Sequence, residues 1–91
     1  MQTIPDNFRR GKDTFNLVLK GSRAMIYKRK VPPGIVYWEV FAFPIKPEVK
    51  IKDKIIPERQ VYPKLNDFGL SAWCCMNYNR AYKIYCKLEL V

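Results

Sequence analysis

Histidine is missing from this chain, which removes the commonest general base and the commonest metal ligand. Acids are scarce as well: eight Asp and Glu stand against seventeen Lys and Arg. Glu39 has no acidic neighbour in its own segment, so no carboxylate pair for acid–base work is visible, and a lone strand carboxylate reads as an ion-pair partner. Four glycines supply neither GxxxxGK[ST] nor GxGxxG, the loops that cradle phosphates. Asp67-Phe68-Gly69 echoes the kinase magnesium motif, but 91 residues leave no room for the rest of that machinery, and the tripeptide reads as a loop turn.

The three cysteines show no paired spacing. Cys74 and Cys75 are adjacent, are not in a CxxC arrangement, and are expected as small core residues. No apolar run approaches the ~20 residues that a membrane helix needs. The start, Met1-Gln2-Thr3-Ile4-Pro5-Asp6, lacks the charged beginning and apolar stretch of a signal peptide. These absences point to a cytoplasmic protein without metal or cofactor that works by binding rather than by catalysis.

What is present describes one small domain. A chain of 91 residues supports a single core, and 13 Phe, Tyr and Trp side chains, 14% of the chain, can bury much area per residue. Residues 1–12, with Pro5, Gly11 and the pair Arg9-Arg10, have little periodicity and read as a mobile basic arm; the domain is expected over 13–91. From Thr14, Phe15, Leu17 and Leu19 alternate with polar positions as a half-buried strand requires. Gly21-Ser22 suggests a type II′ hairpin returning through Arg23–Lys30, with Ala24 and Ile26 inward.

Pro32-Pro33-Gly34 is the next break. Ile35–Phe43 follows, apolar at Val36, Trp38, Val40 and Ala42 and mostly aromatic at the odd positions, as a central strand covered on both faces would be. Glu48–Ile56 alternates again, with a comb of Lys50, Lys52 and Lys54 that suggests an edge strand or extended arm. Pro57–Asp67 reads as a loop, and a strand is expected after Gly69. Asn77 can cap a helix whose apolar positions Tyr78, Ala81, Ile84, Tyr85 and Leu88 fall three and four residues apart. The expected fold is α+β, an antiparallel sheet of four to five strands with one C-terminal helix packed on one face.

A formal charge of +9 is a long-range attraction for polyanions. Lys28, Arg29, Lys30, Lys50, Lys52 and Lys54 are therefore the candidate phosphate contacts of a nucleic-acid-binding protein, with interleaved rings for stacking bases. No RNP, zinc-finger or helix-turn-helix signature accompanies them. If the helix covers the face that bears Leu17, Val36 and Trp38, then Tyr37, Phe41 and Phe43 form an opposite face. That face is either a docking site for a partner protein or covered by the arm, the long loop or a second copy.

The runs Arg23-Ala24-Met25-Ile26-Tyr27-Lys28, Tyr37-Trp38-Glu39-Val40, Tyr62-Pro63, Asn66-Asp67-Phe68-Gly69 and Ala72-Trp73, with Ala81 in a closing helix, resemble small proteins encoded by phages and prophages. The likeness spans roughly Asp13 to Leu88 and leaves out the arm and the lysine comb. It implies a strand meander with a helix and a phage accessory role, and no assigned activity. Three functions stay open on the residues alone: nucleic-acid association, inhibition of a host protein or defence complex, and a structural homo-oligomer of a virion.

Overall fold

The alternating segments pair into one antiparallel sheet. In the computed structural model, which describes residues 3–43, 45–64 and 67–90, the chain runs β1 (Asn7–Arg10), β2 (Asp13–Lys20), β3 (Ala24–Val31) and β4 (Ile35–Ala42) as a meander. The short strands β5 (Ile45–Lys46), β6 (Val49–Ile51), β7 (Lys54–Ile56) and β8 (Arg59–Gln60) follow, then β9 (Ala72–Cys75) and the helix α1 (Tyr78–Glu89). The main sheet has the order β1-β2-β3-β4-β9, with every neighbouring pair antiparallel. One helix on a five-stranded antiparallel sheet is the α+β arrangement expected from the pattern.

The helix forms where the cap and the stripe put it. Asn77 Oδ1 accepts from the Arg80 N–H at 2.8 Å, satisfying one of the free amides of the first turn. Ala81 meets Ile26, Val40 and Cys75 in one core, and Tyr78, Ile84, Tyr85 and Leu88 pack around it with Leu19, Trp38 and Trp73. The far end is tied down by Glu89, whose carboxylate accepts from Ser22 Oγ at 2.9 Å and from the Arg23 and Ala24 amides at 3.0 Å each. This contact explains Gly21: a Cβ there would run into the Glu89 carboxylate and the Tyr85 hydroxyl. Gly21 lacks the positive φ of a type II′ turn, so it is close approach, and not backbone freedom, that favours glycine here; a larger residue would push the Glu89 and Tyr85 side chains aside.

A second core fills the other face. Phe15, Met25, Tyr27, Phe41, Ala72 and Ile4 surround Tyr62, with Phe8, Leu17, Phe43 and Phe68 at its margin. The Tyr62 ring stands edge-on to Phe8, Phe15 and Tyr27 at 5.3 Å each and to Phe41 at 4.9 Å. Such pairs contribute about 0.5–1.5 kcal/mol each beyond the area they bury.

Five further sequence expectations are corrected. Residues 7–10 are not a free arm but the edge strand β1, and Ile4 is buried; Met1 and Gln2 lie outside the described residues. Tyr27 Oη donates to the Pro5 carbonyl at 2.8 Å and the Leu17 amide to Asp6 O at 2.7 Å, so the segment is stitched to β2 and β3. A bulge between Leu17 and Leu19 shifts the β2 register, so Leu19 joins the helix-side core while Leu17 faces Tyr62.

The lysine comb is broken, because Lys52 takes a left-handed φ of 52° and folds the segment into the hairpin β6–β7. The loop through Pro57–Asp67 carries β8, which pairs with β5 and delivers Tyr62 to the core. Of the adjacent cysteines, Cys75 is buried as expected and Cys74 is exposed. No helix among the described residues is long and apolar enough to cross a membrane.

Candidate nucleic-acid interface

Strand alternation sends consecutive basic residues of β3 to opposite faces. Lys28 and Lys30 point to the helix side of the sheet, and Arg29 to the Tyr62 side. Arg29 is not available to a phosphate. Its Nε and Nη2 donate to Asp13 Oδ2 at 2.9 and 2.6 Å, and its Nη1 to Glu39 Oε2 at 3.0 Å. Burial works against the guanidinium charge, but these hydrogen bonds to Asp13 and Glu39 outweigh it and raise the pKa further.

Glu39, only 1% exposed, also accepts from Tyr62 Oη at 2.6 Å. Burial first, and the Glu39 charge second, push the Tyr62 phenol far above its ordinary range. Tyr27 is pushed up to about 12, by burial and then by Asp6. Cys74 lies opposite Glu39 on β9; although the residue is exposed, partial screening of its thiol from water, and then the Glu39 carboxylate, raise its pKa, which keeps it a thiol and a poor nucleophile. The cluster Asp13–Arg29–Glu39–Tyr62 thus fastens the loop to the sheet, and it confirms the reading of Glu39 as an ion-pair partner.

The aromatic face proposed from sequence is covered. Phe41 is fully buried beneath Tyr62, Phe43 packs at the margin of the same core, and Tyr37 is half-buried. The segment around Ile4 and the Tyr62 loop lie over it, so it offers no exposed docking patch.

The helix side differs. α1 lies over β3, β4 and β9, and beyond it β1 and β2 carry short polar and cationic side chains. Two cross-strand rows result: Asn7, Asn16, Lys28 and Trp38, then Arg9, Thr14, Lys30 and Val36. Neighbouring strands are about 4.8 Å apart, so Arg9 and Lys30 stand roughly 10 Å from one another across Thr14. Asn16 Nδ2 donates to Asn7 Oδ1 at 2.7 Å.

Arg9, Lys12, Thr14 and Lys30 line an open cleft of about 360 Å³ whose far wall is the turn Val31–Gly34, and among the described residues no acidic side chain contributes to its lining. Among the described residues Arg29 is the one cation of seventeen in an ion pair with a carboxylate, so no carboxylate competes with a ligand for the cleft cations.

A row of rings borders these cations. The Lys28 ammonium sits 5.4 Å from the Trp38 ring, Tyr78 stands edge-on to Trp38 at 5.3 Å, and Tyr82 stacks on Tyr78 at 5.9 Å. Tyr82 is 46% exposed. The sequence signal for this row was the four-residue spacing of Tyr78 and Tyr82, which reads equally as core.

Lys50, Lys52 and Lys54 belong elsewhere. They ride on the exposed β6–β7 hairpin, which grows from the end of β4 where the Phe43 amide donates to Arg23 O. The cleft cations gather instead towards the Val31–Ile35 turn. The six candidate phosphate contacts therefore divide into a pair, Lys28 and Lys30, on this helix-side platform of β1, β2 and β3, one residue locked in the Glu39 cluster, and three on the hairpin. No protein-family model, curated protein or solved structure matches the chain.

Proposed function

We propose that the protein binds single-stranded nucleic acid on the helix side of its sheet, as a small accessory protein of the phage kind its motifs suggest, and does no chemistry on it. The observation that carries this reading is the acid-free cleft of Arg9, Lys12 and Lys30, continued by Lys28 into the rings Trp38, Tyr78 and Tyr82. Cations on one side and stacking surfaces on the other are what a backbone of phosphates with unpaired bases requires. A duplex offers phosphates but no free base faces, so a ring such as Tyr82 favours single strands. Asn7 and Asn16 supply donors and acceptors beside the lysines without adding charge.

The test is fluorescence anisotropy with labelled single strands of DNA and of RNA, roughly a dozen nucleotides long, at low salt. Saturable binding is expected, strongly weakened in the double variant Lys28→Gln, Lys30→Gln and much less affected in Lys50→Gln, Lys52→Gln, Lys54→Gln. Absence of binding to either strand type at low salt would overturn the reading. The competing reading, inhibition of a host protein through Tyr37, Phe41 and Phe43, is weakened because Phe41 is buried and Phe43 packs against the Tyr62 core.

A further inference from the structure

On the opposite side of the molecule two guanidinium groups share a second cleft. Arg10 of β1 and Arg59 of β8 line a space of about 350 Å³, within the range of small-ligand sites, and among the described residues no carboxylate contributes to its wall. The rest is largely apolar, with Ile4, Phe8, Val61 and Tyr62 among the lining residues. The Arg10 guanidinium lies 5.3 Å from the Tyr62 ring and 5.8 Å from the Phe8 ring, so it is held against the aromatic wall.

Arg59 shows the unusual feature. Among the described residues its Nη1 is the one buried side-chain nitrogen or oxygen with no hydrogen-bond partner. Buried donors in native proteins are almost always satisfied, and a charged one left without an acceptor is costly. The neighbouring Gln60 turns its Oε1 to the Ile4 amide at 3.3 Å and does not reach this nitrogen.

We propose that this cleft binds a small phosphate monoester carried on a flat ring, with Arg10 and Arg59 on the phosphate and the ring against Phe8 and Val61. Two cations without a counter-charge match a phosphate monoester, which carries about −1.5 to −2 at neutral pH, better than a singly charged carboxylate. Guanidinium N–H groups also fit the oxygens of such a group in pairs. The cleft is on the Tyr62 face of the sheet, whereas the platform is on the helix side, so this site stands whether or not the nucleic-acid reading holds.

The experiment is an amide-resolved NMR titration of the full chain with adenosine monophosphate, inorganic phosphate and benzoate as probes. Adenosine monophosphate should shift the amides of Ile4, Phe8, Gln60 and Val61 saturably, and inorganic phosphate should shift the same amides with an affinity roughly tenfold lower. Arg59→Gln should abolish the shifts. Should that variant lose its fold, Arg10→Gln, a change at an exposed edge-strand position, makes the same test. Shifts that survive in the folded Arg variants, no saturable shift with either phosphate probe, or benzoate binding as tightly as the nucleotide would each overturn the proposal. Shifts confined to Arg9, Lys28 and Lys30 and lost in Lys28→Gln, Lys30→Gln would do so too, because the nucleotide would then be on the platform.

Discussion

Replacing Glu39 by glutamine keeps the shape of the most buried carboxylate in the fold and removes its charge. In the native protein one oxygen accepts from Tyr62 Oη at 2.6 Å and the other from Arg29 Nη1 at 3.0 Å. A glutamine turns its oxygen to Arg29 and its NH₂ to the Tyr62 hydroxyl, which must then accept instead of donate, so both contacts lose the carboxylate's charge. Hydrogen bonds to charged groups contribute about 1.5–3 kcal/mol each and neutral ones about 1. Arg29 keeps Asp13 and is 35% exposed, so water and Asp13 recover part of its loss. The net destabilisation is then about 2–3 kcal/mol, a large part of the 5–15 kcal/mol that holds a typical small domain together.

At 4–8 °C per kcal/mol for a domain of this size, the thermal midpoint should fall by roughly 10–20 °C. Urea unfolding followed by tryptophan fluorescence should move its midpoint down by about 1 M or more at unchanged slope. Tyr62→Phe removes one bond of the pair and should cost less than Glu39→Gln. A Glu39→Gln protein within about 0.5 kcal/mol of the native one would refute the claim that this cluster fastens the loop to the sheet.

Tyr82→Ala should leave the thermal midpoint nearly unchanged, since the ring is half exposed, and weaken single-strand binding roughly 5- to 100-fold in Kd; unaltered affinity would remove the ring from the interface. The backbone amide of Arg23, with Ser22 and Ala24, holds the Glu89 carboxyl below its ordinary value near 4.3. A depressed carboxyl stabilises the fold above the unfolded pKa and stops doing so as pH falls through the folded one. NMR titration should therefore find Glu89 ionising below a reference glutamate, and Glu89→Gln should be less sensitive to acid below about pH 4 than the native chain. Lys50→Gln, Lys52→Gln, Lys54→Gln should change stability by no more than about 0.5 kcal/mol, because all three side chains are exposed on the hairpin; chemical denaturation checks this.

The main frame was legible because its signals were local. Asn77 with the Tyr78–Leu88 stripe defines the helix, and Ile35–Ala42, apolar on both faces, declares a central strand. What sequence reading missed depended on partners far away in the chain. Asn7–Arg10 has no period of its own and becomes a strand only because β2 offers it an edge. The lysine period runs on through Lys50, Lys52 and Lys54, and the turn is marked only by Asp53 standing where the alternation calls for an apolar residue, with no glycine or asparagine to signal it.

The same limit applies to the site. Lys28, Arg29 and Lys30 form one basic run in sequence, yet the pleat gives Arg29 to Asp13 and Glu39 and leaves its neighbours free. Arg9 and Lys12, read as part of a mobile arm, join Lys30 only through two strand pairings.

The central claim is that Arg9, Lys12, Lys28 and Lys30 act together on a chain of phosphates, and the salt dependence of binding measures it most directly. Four contacts to a single strand, at roughly 0.7 each, predict that log K falls with log salt at a slope of about −3, and that Lys28→Gln, Lys30→Gln halves the slope. A slope near zero, or one left unchanged by the double variant, would contradict the account.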